Sequence, residues 1–524
     1  MGIYFNPNNI NFKMTVSSKI YVDKTSMLSV LNGYIGESNS FICVSRPRRF
    51  GKTIASEMIA AYYSKGCDSR DLFAPYKIAE DPSFYENLNK FNVIQIDVNA
   101  EYQFASHGLD MIDRLTFKIK KEIEECYKDI DFEDTVSLAE VILKVYSITG
   151  DTFIIILDEY DVLVREKVDR ELFDRYLSFL NGLFKSAPMK QAVSLAYLTG
   201  ILPVVRDRVQ SKLNNFREYT ILNAAELSEY VGFTDQEVKA LCEGYDIDYE
   251  ECRRWYDGYR LKDYEIYNPE SVVQAIRTGE FDNYWSRTST YQAIAERIEE
   301  NFEGTREDVI RLLAGESIEV NPTSFMNTLT DFKGKDDVYT YLIHIGYLAY
   351  DNKKKTCRIP NREIEQEWIN TVNVNTDYRV TNKIIKASKE LLKSTIEGDE
   401  GAVASALDVS HIHVTSNRSY NNEDALQSAI YLAYIYALNE YTIVREMTAG
   451  RGFADVVFIP FVSGRPAMII ELKRNGSAES AIDQIKDKRY FDSLYNYEGD
   501  LLFVGINYDE KEKTHTCRIE HFVK

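Results

Sequence analysis

The sequence predicts a multidomain α/β protein built around a parallel sheet covered on both faces. Three observations predict it. Between residues 40 and about 225, short near-continuous apolar runs alternate with stretches of helical spacing. Strands that are apolar along their whole length belong to sheets buried on both faces, and the intervening helices supply the covers. The chain has 524 residues, 44% hydrophobic and 27% charged, enough for about three or four cores of ordinary domain size. After 225 the strands thin out, and from about 381 a new order of helices and strands begins.

In chain order, FICV (41–44) reads as the first strand and TIASEMIAAYYS (53–64) as the helix after it. VIQIDV (93–98), FIIIL (153–157) and SLAYLTG (194–200) read as further strands, with an amphipathic helix at 108–127. The stretches 226–245 and 249–261 read as helical, with Asp257-Gly258 as a turn. Residues 269–350 continue largely helical, and 347–360 suggests a hairpin. A polar region around 351–380 is a plausible boundary. Beyond it the expected order is helix (382–396), helix (422–438), hairpin (453–473), helix (478–494) and strand (500–506).

Chemistry enters between the first strand and its helix, at SRPRRFGKT (45–53). Gly51, Lys52 and Thr53 fit the second half of the phosphate-binding pattern G-x-x-x-x-G-K-[ST], while Arg46 stands at the opening glycine. In such a loop, backbone N–H groups and a helix N-terminus face the phosphates. The lysine reaches the terminal oxygens, and the hydroxyl of Thr53 would hold Mg²⁺. The third strand ends in Asp158-Glu159. Asp158 would hold the same Mg²⁺, and Glu159 would polarise the attacking water. Thr199, at the end of the fourth strand, is placed to sense the γ-phosphate. Arg46, Arg48 and Arg49 would add phosphate contacts; the competing reading is a solvated basic loop, as a helix cap is for the Asp-Glu pair.

A second constellation lies in GFADVVFIPFVSGRPAMIIELKRN (452–475). With a period of two, Glu471 and Lys473 point to one face of a strand while Ile470 and Leu472 point to the other. Asp455 in the preceding strand completes the pattern D…(D/E)-x-K. Two carboxylates there would hold Mg²⁺ or Mn²⁺ by oxygen ligation, and the lysine would position the water that attacks a phosphodiester. The alternative is an exposed hairpin face with a Glu–Lys pair. The helix after it puts Gln484 and Lys488 on one face at i, i+4. His411-x-His413, lacking a third ligand, reads as a strand or loop pair rather than a metal site. Trp255, Tyr256 and Tyr259 read as core or lid packing, with stacking on a base as the other use.

RPRRFGKT, LDEYD, LTG, GFTDQEV, WYDGY and YNPESV, in this order, resemble an uncharacterised bacterial family of AAA-ATPase-like proteins. Tyr21–Thr25, Gly346-Tyr347-Leu348 and Pro360-Asn361 extend the resemblance over essentially the whole chain. In that family the loop commonly carries the arginine, so Arg46 is the family's form. The C-terminal run resembles the PD-(D/E)XK nuclease-like domain that closes those proteins, whose later helix carries Q-I-x-x-K-x-Y. There Gln484 joins Asp455, Glu471 and Lys473, and an upstream helix contributes a glutamate, for which Glu423 is the best match. Position 427 is Gln where His would be expected.

These readings imply a P-loop NTPase parallel-sheet core, AAA-like, at 1–225 and a helical lid at 226–300. A helical or winged-helix-like connector follows at 301–380, then a restriction-endonuclease-like α/β domain at 381–524. ATP, with Gly51, Lys52, Thr53, Asp158, Thr199, Arg46 and Arg49 around it, and Mg²⁺ or Mn²⁺ are the expected cofactors. The expected activity is ATP binding and hydrolysis gating metal-dependent cleavage of nucleic acid, DNA before RNA. The alternative is a nucleotide-dependent switch whose C-terminal domain binds nucleic acid or protein without cutting. A homo-oligomer is compatible with either.

The net charge of −20 argues against wholesale coating of nucleic acid, yet a local basic cleft needs only a few Lys and Arg. No apolar run approaches the roughly 18 residues of a membrane-spanning helix. Seven scattered cysteines without a C-x-x-C pair fit a reducing compartment. The start, MGIYFNPNN, has no charged and apolar leader, and Asn6 stands where a myristoylation signal has Ser or Thr. A cytoplasmic location is expected.

Overall fold

A computed structural model describes residues 2–105, 110–166, 168–204, 215–285, 294, 302, 304–313, 315–325, 332–374, 379–414, 426, 429–431, 433–449, 452–462, 464–494, 497 and 499–522. The chain forms two compact units, Met1–Thr288 with Glu319–Glu363 and Ser289–Ile318 with Ile364–Lys524.

In the first unit five strands form one all-parallel sheet in the spatial order β2-β3-β4-β1-β5. They are β1 (Phe41–Ser45), β2 (Asn92–Asp97), β3 (Phe153–Asp158), β4 (Val193–Gly200) and β5 (Arg217–Tyr219). Every residue of β1 and β3 is buried, as strands covered on both faces require. Ile155 and Leu157 join a core with Ile119, Ile123, Val141 and Leu180 from the helices Met111–Cys126, Leu138–Thr149 and Arg170–Phe184. Ile154 and Ile156, equally buried, face the other side. The parallel-sheet core is as the sequence predicts; β5 is an addition, three residues long and partly exposed, too short to leave a pattern.

The expected helical run from 226 to 261 is only partly helical. Helices Asp235–Tyr245 and Tyr249–Tyr256 form, but Phe233–Thr234, Tyr259–Leu261 and Tyr264–Tyr267 pair as a small antiparallel sheet. Asp257-Gly258 is the corner between helix and strand, with Gly258 at φ +116°. The hairpin expected at 347–360 forms between Ala349–Asp351 and Thr356–Arg358.

The second unit is a mixed five-stranded sheet of β6 (Tyr441–Ala449), β7 (Gly452–Pro460), β8 (Ala467–Arg474), β9 (Leu501–Asp509) and β10 (Thr514–Phe522), in that spatial order. All neighbours are antiparallel except β8 and β9, which are parallel and joined through the helix Ala478–Asp487. That helix covers Ala454, Val457, Ile469 and Phe503 on one face. Residues of helices Arg379–Glu397 and Glu400–Val414 pack with Val456, Phe458, Ile470 and Leu472 on the other. The second of those helices was not expected, and it holds His411 and His413 in helix rather than in a strand or loop. The expected helix 478–494 stops at Asp487; Arg489 takes φ +54°, and a 3₁₀ turn follows at Tyr490–Leu494. Of the expected helix at 422–438, residues 422–425, 427–428 and 432 lie outside the described residues, Glu423 and Gln427 among them, and its expected end forms a 3₁₀ turn at Ile435–Asn439.

Candidate functional site: a phosphate loop and a carboxylate–lysine cluster

The loop after β1 turns into the helix Lys52–Tyr63 through Gly51, whose φ of +89° is why glycine stands there. No side chain caps this helix, and its first turn has no acidic residue. Its free N–H groups and dipole therefore favour an anion, which fits a nucleotide's phosphates. Lys52 is buried and donates from Nζ to the loop's own Pro47 carbonyl at 2.8 Å. Burial lowers its ammonium to about 8, against the pull of Glu159 and Asp158.

Asp158 ends β3, buried, its carboxyl pushed up to about 6 by burial, while a hydrogen bond from Thr53 and the charge of Lys52 act the other way. Glu159 follows at φ +50° and its N–H donates to Asp158 Oδ1 at 3.0 Å. The pairing Asp97↔Asp158 brings the end of β2 to the same edge. Lys52, Thr53, Glu159, Arg48, Arg49 and Arg165 line one cleft of about 460 Å³. Thr199 is fully buried, and its Oγ1 has no hydrogen-bond partner among the described residues.

Arg46 does not face this cleft. It is fully buried, donating to the carbonyls of Ser45 (2.8 Å), Tyr219 (2.9 Å) and Leu227 (3.3 Å). The residue in place of the opening glycine thus ties the loop to β5 and the segment after it. Arg49 stays at the cleft, with φ +67°, donating to the Tyr284 carbonyl at 3.4 Å and lying 3.9 Å from Glu270.

The other motifs scaffold the loop. A Cβ on Gly346 would come within 2.8 Å of Pro47, so glycine is needed for the close approach. Tyr259 OH donates to the Gly346 carbonyl, and Phe50 packs edge-on against the Tyr259 ring. Trp255, Tyr256 and Tyr259 are core residues. Lys24 donates to the Glu229 carbonyl and to Glu237, both at 2.6 Å, tying the N-terminal segment to the helix Asp235–Tyr245.

Two features were missed. An apolar cavity of about 260 Å³, walled by Ile20, Val22, Met58, Phe233 and Val273, shares Arg49, Gly51, Ile54 and Glu270 with the cleft lined by Lys52 and Thr53. Its walls come from four distant parts of the chain. The other is Arg165, whose Nη2 grips Glu159 at 2.7 Å. Its spacing of six from Glu159 carries no motif.

In the second unit, Val456↔Ile470 pairing puts Asp455 opposite Glu471 at the next step. The period of two sends Ile469, Glu471 and Lys473 toward the helix Ala478–Asp487, which carries Gln484. Lys473 Nζ lies 3.1 Å from Glu471 Oε1 and 2.5 Å from Gln484 Oε1. The Gln484 amide nitrogen donates to the same Glu471 oxygen and to Tyr490 OH at 3.1 Å. Asp455 Oδ2 accepts from the Leu472 N–H at 2.7 Å. Lys488 caps the helix with αR backbone, its N–H donating to the Gln484 carbonyl at 3.0 Å one turn back.

Glu471 is 2% exposed, and its Oε2 has no hydrogen-bond partner among the described residues. Burial, then the Asp455 charge, push its carboxyl up to about 7. A buried carboxylate oxygen left unpaired beside a second carboxylate fits a divalent cation. Among the described residues no group of three or more His, Cys, Asp or Glu converges. Adding Mn²⁺ at about 100 times its Kd is expected to stabilise the wild type by about 2.7 kcal/mol. Glu471→Gln is expected to gain nothing, as read by thermal melting.

Among the described residues no helix is long and apolar enough to cross a membrane. An uncharacterized protein in the vnfD 5′ region of Azotobacter chroococcum mcd 1 is 25% identical over 279 residues, 52% of this chain. The chain spans about half (51%) of that relative's length. Among solved structures, the Aeropyrum pernix ORC2 protein in ADPNP–ADP complexes is 8% identical, covering 68% of this chain and 96% of that one, with a TM-score of 0.29. The Aeropyrum pernix ORC1 protein in complex with DNA is 10% identical, covering 94% and 99%, with a TM-score of 0.23. Residues 11–210, which hold the phosphate loop and the Asp158-Glu159 pair, match the family described as predicted AAA-ATPase, and residues 421–517, which hold Asp455, Glu471 and Lys473, match the PD-(D/E)XK nuclease superfamily.

Proposed function

We propose that this protein binds and hydrolyses ATP in its first unit and cleaves nucleic-acid phosphodiesters in its second, with nucleotide state governing the cutting. One observation carries the reading: in each unit a buried carboxylate on a sheet strand stands beside a lysine, where phosphate chemistry needs both signs of charge.

For ATP, Lys52 would leave the Pro47 carbonyl for the terminal phosphates, and the helix N-terminus would take the oxygens that its free N–H groups face. Thr53 and Asp158 would hold Mg²⁺, and Glu159 would orient the attacking water. The adjoining apolar cavity suits a purine base. Lys52→Ala is expected to weaken ATP binding about 100-fold, roughly 3 kcal/mol, in equilibrium binding of a fluorescent analogue. Unchanged affinity would remove the loop from the site.

For cleavage, Asp455 and Glu471 would hold Mg²⁺ or Mn²⁺, with Glu423 as the proposed third ligand. That cation, when bound, supplies Lewis-acid stabilisation of the phosphorane and a more acidic water. Lys473, fixed between Glu471 and Gln484, would position that water. Gln484 would hold Lys473 and Glu471 in register. The cytoplasm, and DNA before RNA, remain the proposed setting and substrate. The test is cleavage of mixed DNA and RNA in Mg²⁺ or Mn²⁺, with and without ATP, beside Glu471→Ala. Cutting that requires Glu471 and responds to ATP is the expected result. Tight ATP binding without any cutting would favour a nucleotide-dependent switch.

A further inference from the structure

We propose that Arg165 is a positioning residue that aims the Glu159 carboxylate into the phosphate cleft, an inference that rests on the hydrolysis reading above. Glu159 has a backbone in the left-handed region and a side chain about one-third exposed, so nothing in its own strand end fixes where the carboxylate points. Arg165 does. Its Nη2 donates to Glu159 Oε2 at 2.7 Å while its Nε donates to Asp161 Oδ2 at 3.1 Å. The guanidinium is rigid and planar, so gripping one carboxylate sets the angle presented to the other.

Asp161 is anchored in turn. It is fully buried, and the same Oδ2 accepts from the N–H groups of Ile201 (3.1 Å) and Leu202 (2.8 Å). Those residues follow Gly200, the last of β4, where a Cβ would come within 2.5 Å of Asp161. The chain of contacts therefore runs from the sheet, through Asp161 and Arg165, to Glu159. Arg165 is only 10% exposed and lines the same cleft as Lys52 and Thr53. An i, i+4 pair that merely braced the four-residue helix Val162–Arg165 would need no contact with Glu159.

A carboxylate that orients water works through geometry, and partners that orient a reacting group typically contribute about 10- to 100-fold. A substitution that keeps a positive charge beside the buried Asp161 but lacks the planar fork should therefore lower kcat and leave nucleotide affinity and folding nearly intact. The experiment uses the full chain and four forms: wild type, Arg165→Lys, Glu159→Gln and the double variant. ATP turnover, binding of a non-hydrolysable analogue and melting temperature are measured for each. Lysine keeps the charge but cannot hold both carboxylates in one plane, so Arg165→Lys is expected to turn over about 10-fold more slowly, with analogue affinity within about threefold and an unchanged melting temperature. The double variant is expected to be no slower than Glu159→Gln alone. Wild-type turnover by Arg165→Lys, a matching loss of analogue affinity, or additive losses in the double variant would overturn this inference alone. A wild-type protein that binds ATP and never hydrolyses it would overturn the hydrolysis reading as well.

Discussion

Alanine at Asp455 is expected to lower metal-dependent cleavage about 1,000-fold, roughly 4 kcal/mol in the barrier. The size follows from the site's economy. Among the described residues only Asp455 and Glu471 offer carboxylates there, and Glu471 Oε1 is already engaged by Lys473 and Gln484. Without Asp455, a cation would meet little more than Glu471 Oε2. Asp455 Oδ2 also accepts the Leu472 N–H, so alanine carries a structural cost of about 1 kcal/mol. Asp455→Asn keeps an acceptor and separates the two effects: it should melt near the wild type and still fail to cut. Single-turnover cleavage of end-labelled substrate reads the cutting, and thermal melting reads the stability. Cutting by Asp455→Ala at the wild-type rate would move the chemistry away from this sheet.

Arg46→Gly brings the loop closer to the usual phosphate-binding pattern, yet it is expected to destabilise the first unit by about 3 kcal/mol. The substitution removes the donors to three buried carbonyls, those of Ser45, Tyr219 and Leu227. Each unsatisfied carbonyl costs about 1–3 kcal/mol; relief from burying a cation offsets part of this, and the glycine's freedom in the unfolded chain adds about 0.5–1 kcal/mol. The strand β5 has only three residues, pairs with β1 alone and leans on this guanidinium for one of its carbonyls. Urea unfolding followed by tryptophan fluorescence reads the loss, since Trp255 and Trp285 both lie in this unit. A variant as stable as the wild type that binds ATP more tightly would mean that Arg46 is only a handicap to the loop.

Much of the fold was legible because long buried strands leave apolar runs. The four strands β1 to β4 and the hairpin of β7 and β8 fall within a residue or two of the expected ends. What escaped was short or locally ambiguous. The strands at 233–234, 259–261 and 264–267 hold two to four residues, below any window in which period can be measured. The helix after β8 carries apolar residues past Asp487, so periodicity continues where Arg489 turns the backbone left-handed. The helix Glu400–Val414 was not expected, although Asp399 stands before it and accepts from the Ala402 N–H at 2.9 Å.

The sequence by itself determined the pieces whose chemistry is local. A glycine with φ +89° opening a helix, an acidic pair at a strand end and E-x-K in an alternating strand are each set within a few residues, so spacing alone reveals them. Only the tertiary structure decided where Arg46 points, since two of its three partners lie 173 and 181 positions away. It also decided the cavity beside the loop, walled from residues 15 to 277, and the grip of Arg165 on Glu159 through Asp161 and the end of β4. In the second unit it joined Gln484 to Lys473 by folding a helix back over its own strand. Side-chain direction in a packed interior is set by which distant backbone groups remain to be satisfied, and that pairing has no signature in one dimension.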